Sequence, residues 1–170
     1  IPPLTAEQTR HALRLGCREM HRFGITSVVE PGLRPPDIRA YQSFYQDGEL
    51  TVRTNLMPSW HGFFQDEQET QLDYRARELG IYSGLGDEWL RMGGLKIVLG
   101  EATGRLFPAQ PDLDQLVLDV HRRGGQVALH AVEPGTIEAA LIALEKAQGQ
   151  YPRPAARHRL EHCAEAVPGL

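Results

Sequence analysis

The sequence predicts an α/β fold built from about five parallel strands alternating with helices. Three observations carry that expectation. Short strand-like runs, "ITSVVE", "LTVRTNLM", "LKIVLG", "QVALHAV" and "RHRLEHC", recur along the chain. Segments with apolar residues at helical spacing separate most of them. The intervals are too long for hairpins and suit crossover connections between parallel strands. Two architectures satisfy this pattern: an open doubly wound sheet, or part of a (β/α)8 barrel, whose complete form needs ~250 residues.

The elements follow in order. Thr5 with Gln8 three residues later forms a capping box, Leu13, Cys17 and Met20 recur on one face, and Gly24 ends the first helix. After "ITSVVE", Pro35 and Pro36 open a helix through Ile38, Tyr41 and Tyr45 that Gly48 stops. "LTVRTNLM" is the next strand, and a polar helix runs from Asp66 to near Gly80. "LKIVLG" is followed by a helix from Pro111 with Leu113, Leu116, Val117 and Val120 on one side. "QVALHAV" precedes an Ala- and Leu-rich helix from about Pro134 to Ala147, and "RHRLEHC" is the weakest strand.

Composition narrows the function classes. With 170 residues and 41% hydrophobic content the chain can bury a core, and a formal charge of −4 without a basic run argues against a nucleic-acid surface. No apolar run has membrane-span length and no signal peptide is evident, and Cys17 and Cys163 read as free thiols in a reducing, cytoplasmic setting. The chain starts at Ile1 and stops at Leu170 just after a strand-like run, so it is expected to be a single segment, 1–170, of a longer barrel domain. Unpaired outer strands in such a segment lead to an expectation of homo-oligomers. A small-molecule substrate is the expected partner.

Strand side chains alternate between faces. In "LKIVLG", Lys96, Val98 and Gly100 oppose Leu95, Ile97 and Leu99; in "QVALHAV", Gln126, Ala128 and His130 oppose Val127, Leu129 and Ala131. In "RHRLEHC", His158, Leu160 and His162 share one face, which leaves Arg159 and Glu161 toward the helices. Lys96, His130 and His162 are therefore expected to face inward together, and converging imidazoles suit a divalent metal. Each residue also has a plain structural role. His130 or His162 alone is a core histidine as readily as a ligand, and Glu133 is a helix cap as readily as a proton relay. A lysine within a strand is harder to explain without function, because burying an unpaired charge is costly. His158 reads as structural, and His11, His21 and His121 as solvated helix positions. His61 in "PSWHGFFQ" is a candidate pocket residue, and Arg53 an interior ion-pair partner or substrate contact. The glycines of "EPGLRPP" and "GEATGR" suit strand-end loops and match no phosphate-cradling pattern.

The stretches "FGITSVVEPG", "MGGLKIVLGEATG", "HRRGGQVALHAVEPGTIEAALIALEKA" and "RHRLEHC" together resemble the metal-dependent amidohydrolase superfamily, in particular its amidohydrolase family 3 branch. The resemblance covers most of Phe23 to Cys163. It implies a TIM-barrel segment around one or two divalent ions, usually zinc, and hydrolysis of an amide or cyclic amide C–N bond by a metal-activated water. Lys96 matches the fourth-strand lysine that many such enzymes carboxylate to bridge two metals. His130 matches the fifth-strand ligand and His162 the sixth-strand ligand. The superfamily's first-strand His-x-His pair and eighth-strand aspartate have no match in this sequence. "HAVE", ending at Glu133, also resembles the His-x-x-Glu of the deaminase branch, where the glutamate shuttles protons and one metal suffices. Two alternatives therefore stand beside the amide hydrolase: a deaminase dependent on Glu133, and an inactive or small-molecule-binding domain.

Overall fold

The computed structural model describes residues 4–60, 83–100 and 106–169. They fall into two compact units that meet in sequence between Gly93 and Gly94. Each unit holds one three-stranded sheet, and all pairings between the strands are parallel.

In the first unit, α1 (Ala6–Arg22) leads to β1 (Ser27–Leu33), α2 (Pro35–Gln46), β2 (Arg53–Pro58) and β3 (Leu90–Met92), with sheet order β1-β2-β3. The capping box at α1 forms: Thr5 Oγ1 accepts the Gln8 N–H at 3.2 Å, and Gln8 Oε1 accepts the Thr5 N–H at 2.8 Å. Thr5→Ala leaves one of these donors without its side-chain acceptor, so a loss of about 1 kcal/mol is expected in urea unfolding. A loss under a few tenths would mean α1 frays there in any case. Proline at the first turn of α2 supplies helical φ where no N–H partner is needed. Phe44, Leu50, Val52, Leu56 and Met57 form the core of this unit. Glu49 ties α1 to the loop after α2. Arg14 and Arg10 both reach its carboxylate and hold it down to about 2.

The second unit runs β4 (Leu95–Val98), α3 (Gln110–Arg122), β5 (Val127–Ala131), α4 (Pro134–Gln150) and β6 (Arg159–His162), in sheet order β4-β5-β6. Helices α3 and α4 pack on each other and on β5. Their small and branched residues explain the fit: Leu113, Val117, Ala140 and Ala143 are fully buried, as are Val127, Leu129 and Ala131 on the strand.

Two features differ from the expectation. The strand β3 is a short addition, held by register pairs such as Thr54↔Leu90 and Leu56↔Met92, and its three residues are too few to show a period. Gly93 follows it because a Cβ there would sit 2.7 Å from Asn55 Oδ1 and 3.0 Å from Met57 Cγ. His121, expected in solvent, is fully buried. Its Nδ1 lies 2.8 Å from His158 Nε2 and its Nε2 lies 2.6 Å from the Tyr151 carbonyl oxygen. The expected helix from Asp66 to Gly80 lies outside the described residues.

Candidate metal centre

The second unit's sheet sets the candidate site. Residues paired across a parallel ladder project from the same face. Lys96 pairs with Ala128 and Ala128 with Arg159; Val98 pairs with His130 and His130 with Glu161. Lys96–Ala128–Arg159 is thus one row across the face, and Val98–His130–Glu161 is the next row toward the carboxyl ends. Lys96 lies one row deeper than His130, within β4, and is 4% exposed.

This register corrects the expected facing of β6. Arg159 and Glu161 lie on the Lys96–His130 face and not toward the helices, and Arg159 Nε donates to Glu161 Oε1 at 2.6 Å. His158 falls before the strand and reaches the helix side, where its Nδ1 accepts the Val127 N–H at 3.1 Å. By alternation His162, paired with Ala131, belongs to the face opposite His130. Its backbone breaks the alternation: φ is 77° at His162 and 48° at Cys163. The His162 ring meets that of His130 with centroids 4.4 Å apart and planes at 66°. Left-handed φ costs a residue with a Cβ roughly 1 kcal/mol or more. The Cys163 N–H donating to the Ala131 carbonyl at 3.0 Å holds the turn in place. Strain of this kind concentrates where a side chain must be aimed.

The electrostatics disfavour the charged forms of His130 and Lys96. Burial pushes the His130 imidazole below its ordinary range, and the neighbouring His162 and Lys96 push it the same way. Burial likewise lowers the Lys96 ammonium, opposed by Glu161 and assisted by Arg159. The Arg159 hydrogen bond is the main cause holding the Glu161 carboxyl low. Neutral imidazoles with lone pairs are what a metal requires, so His130 and His162 fit a divalent ion. Lys96 as an ammonium has no lone pair and fits only once modified. Among the described residues, no group of three or more His, Cys, Asp or Glu is gathered as a metal cluster.

Glu133 is the N-cap residue of α4, two residues beyond β5. The buried Thr136 hydroxyl donates between the Glu133 carbonyl oxygen at 2.8 Å and Oε2 at 3.1 Å, while accepting the Val132 N–H at 3.1 Å. Its charge acts on His130 in the raising direction. Arg53 belongs to the first unit and opens β2 at its amino end. Its guanidinium donates to Ser27 Oγ at 2.9 Å and Thr26 Oγ1 at 3.1 Å, hydroxyls where a carboxylate partner was expected. It borders a hollow of about 360 Å³ shared with Asn55, Asp87 and Arg91. His61 lies outside the described residues.

Sequence reasoning placed Arg159 and Glu161 on the wrong face, toward the helices. The pairing register that puts them beside Lys96 and His130 is a property of three strands together. Their opposite charges at i and i+2 made a mutual pair one expected resolution, and that pair forms, but it can form on either face and so does not fix the register.

No helix among the described residues is long and apolar enough to cross a membrane. A model of the amidohydrolase family matches residues 1–167. No curated protein matches the chain. Two solved structures share the fold. An uncharacterised metal-dependent hydrolase from Pyrococcus horikoshii OT3 superposes with a TM-score of 0.68 at 17% identity, over 84% of this chain and 31% of that one. An uncharacterised metal-dependent hydrolase from Pyrococcus furiosus gives 0.69 at 19% identity, over 85% and 32%. The chain thus spans about a third of the length of either protein.

Proposed function

The chain belongs to the amidohydrolase family, and from that premise we propose that residues 1–170 are one segment of a (β/α)8-barrel hydrolase that cleaves an amide or cyclic amide C–N bond in a small molecule. The observation that carries this reading is the meeting of His130 and His162 at 4.4 Å on adjacent strands, one row above a buried lysine. A left-handed backbone at His162 and Cys163 accompanies the meeting of the two imidazoles.

In this reading His130 and His162 would hold a divalent ion, best matched by zinc's preference for imidazole, and Lys96 would join as a carboxylated lysine where a second ion is held. When bound, the ion polarises the scissile carbonyl and lowers the pKa of water toward ~7. The chain's own groups do the rest. Burial, with His162 and Lys96 nearby, favours the neutral form of the His130 imidazole. Glu133, restrained by Thr136, stands two residues past the strand end and relays a proton toward the leaving nitrogen. Arg53 and His61 are proposed substrate contacts.

A deaminase is the second reading, favoured by the charge of Glu133 acting on His130. It needs one ion and leaves Lys96 without a catalytic part.

The test is metal retention in the full-length protein. Loss of groups outside the metal's own ligands already weakens metal affinity by 10–100-fold, so His130→Ala and His162→Ala are each expected to weaken zinc binding by more than about 100-fold. Hydrolysis of cyclic amides is expected to vanish with a chelator and return with zinc. A double variant that keeps its zinc through dialysis removes these residues from the site and the proposal with them.

A further inference from the structure

We propose that the hollow between α1 and the first unit's sheet is a binding site for a small, mainly apolar molecule that carries one ammonium group, with Glu30 as its counter-ion. No residue on which this rests has a part in the proposed hydrolysis.

Helix α1 is amphipathic, yet none of its residues is buried. Its polar side chains tie it to the segment after α2. Arg10 and Arg14 both reach Glu49, and His21 Nε2 lies 3.1 Å from the Thr51 carbonyl oxygen. These contacts hold the helix by its flank and leave its apolar stripe unpressed against the sheet. Leu13, Cys17 and Met20 border instead a hollow of about 460 Å³, with Val28 and Val52 on the sheet side. Small-molecule sites run from ~300 to 1,000 Å³ and combine mostly apolar walls with a few polar groups. Here the polar group on the sheet side is Glu30.

Glu30 stands where the fold otherwise places apolar groups. Val28, Glu30 and Gly32 share one face of β1. The ladder pairs Val28 with Thr54 and Glu30 with Leu56, and both partners are buried. Among the described residues Glu30 has no ion-pair partner, and no Lys, Arg or His lines the hollow. The other carboxylate at its edge, Asp37, is engaged by Arg34, whose Nε lies 3.2 Å and whose backbone N–H lies 3.1 Å from Asp37 Oδ2. Burial raises the Glu30 carboxyl, with the Tyr41 phenol opposing and Asp37 adding to the rise. A cation brought into the hollow offsets that cost, because an opposite charge nearby favours the ionised form. Shape and charge thus select one chemistry. The apolar walls take the body of the ligand and Glu30 takes its ammonium. The Tyr41 hydroxyl keeps lone pairs for a further N–H. An anion is repelled by both carboxylates.

The experiment titrates the full-length protein with phenethylammonium, 2-phenylethanol and phenylacetate, which are similar in size and differ in charge. Binding is read by calorimetry and by protection of Cys17 from iodoacetamide, resolved from Cys163 by peptide mass spectrometry. Phenethylammonium is expected to bind and to slow Cys17 alkylation, the alcohol to bind about tenfold more weakly, and phenylacetate not to bind. Glu30→Gln is expected to weaken the ammonium about tenfold, the factor that corresponds to one charge-assisted hydrogen bond, and to leave the alcohol unchanged. Gly16 borders the hollow, and a Cβ added there meets no atom within 4 Å. Gly16→Leu therefore fills the hollow while favouring the helix, and is expected to abolish binding of both molecules. Equal affinity for ammonium and alcohol in the wild type overturns the inference. So does Cys17 alkylation that the ammonium does not slow, or ammonium binding that survives Gly16→Leu. If Glu30→Gln does not fold, the contrast between ammonium and alcohol and the Gly16→Leu variant decide it. None of these outcomes alters the hydrolase reading, whose test is metal retention.

Discussion

Lys96→Ala is expected to lower the metal content of the full-length protein by roughly half and to reduce turnover by on the order of 100-fold or more, because in the proposed reading it removes the carboxylated lysine that would join two ions. The fold is expected to survive. Lys96 is buried on the face that carries His130, whereas the packing of β4 against the rest of its unit depends on Ile97, which is fully buried on the other face. Deleting a buried lysine also removes a charge that has lost much of its hydration, so the stability change is small or favourable. A short carboxylic acid in the medium is expected to recover part of the activity by occupying the vacated position. The competing deaminase reading makes the opposite demand. If Lys96→Ala keeps normal metal content and rate while Glu133→Gln abolishes activity, one-metal deamination replaces amide hydrolysis.

His121→Ala is expected to destabilise the second unit by about 3 kcal/mol in urea unfolding, combining a cavity with the loss of two buried hydrogen bonds. The hydrogen bonds fix the tautomers. His158 Nδ1 accepts the Val127 N–H, so His158 Nε2 carries the proton and donates to His121 Nδ1; His121 Nε2 then donates to the Tyr151 carbonyl. Both His158 ring nitrogens are thus engaged, which leaves its ring no site for a second proton. Burial, together with the nearby His121 and Arg153, holds His158 down to about 4, against 6.5 for an ordinary histidine. The unfolded chain therefore binds the extra proton first as pH falls. The stability contributed by His158 is complete above pH 6.5 and is lost progressively as pH falls from 6.5 toward 4. Because His158 is only half-buried, solvent screening limits the loss to on the order of 1 kcal/mol. Unfolding free energies at pH 7.5 and pH 4.5 in wild type and His158→Asn measure it. A pH dependence identical in the two proteins assigns the acid sensitivity to other groups, and a His121→Ala penalty below about 0.5 kcal/mol would mean the pair is not closed in solution.

Much of the local structure was legible in the sequence. The Thr5–Gln8 box, the prolines opening α2, α3 and α4, and the apolar stripe of Leu113, Leu116 and Val117 are interactions within a few residues of each other, and each appears where the sequence places it. So does the alternation of Lys96 against Ile97 and of His130 against Leu129, because period two is a property of one extended strand. What the sequence could not decide was how β6 meets β5. A shift of one residue in register exchanges the two faces of a strand, and the ladder starts at Arg159, which brings Arg159 and Glu161 onto the face where His158 and His162 were expected. His162 reaches His130 through a positive φ at the strand's end, a conformation that a residue other than glycine adopts only when surrounding contacts impose it. His121 looked like a polar position on an exposed helix face until His158 and Tyr151, thirty or more residues later in the chain, closed over it. Residue type and local period belong to the sequence by itself; register, backbone strain and the burial of a polar group depend on partners distant along the chain, and only the tertiary structure selects them.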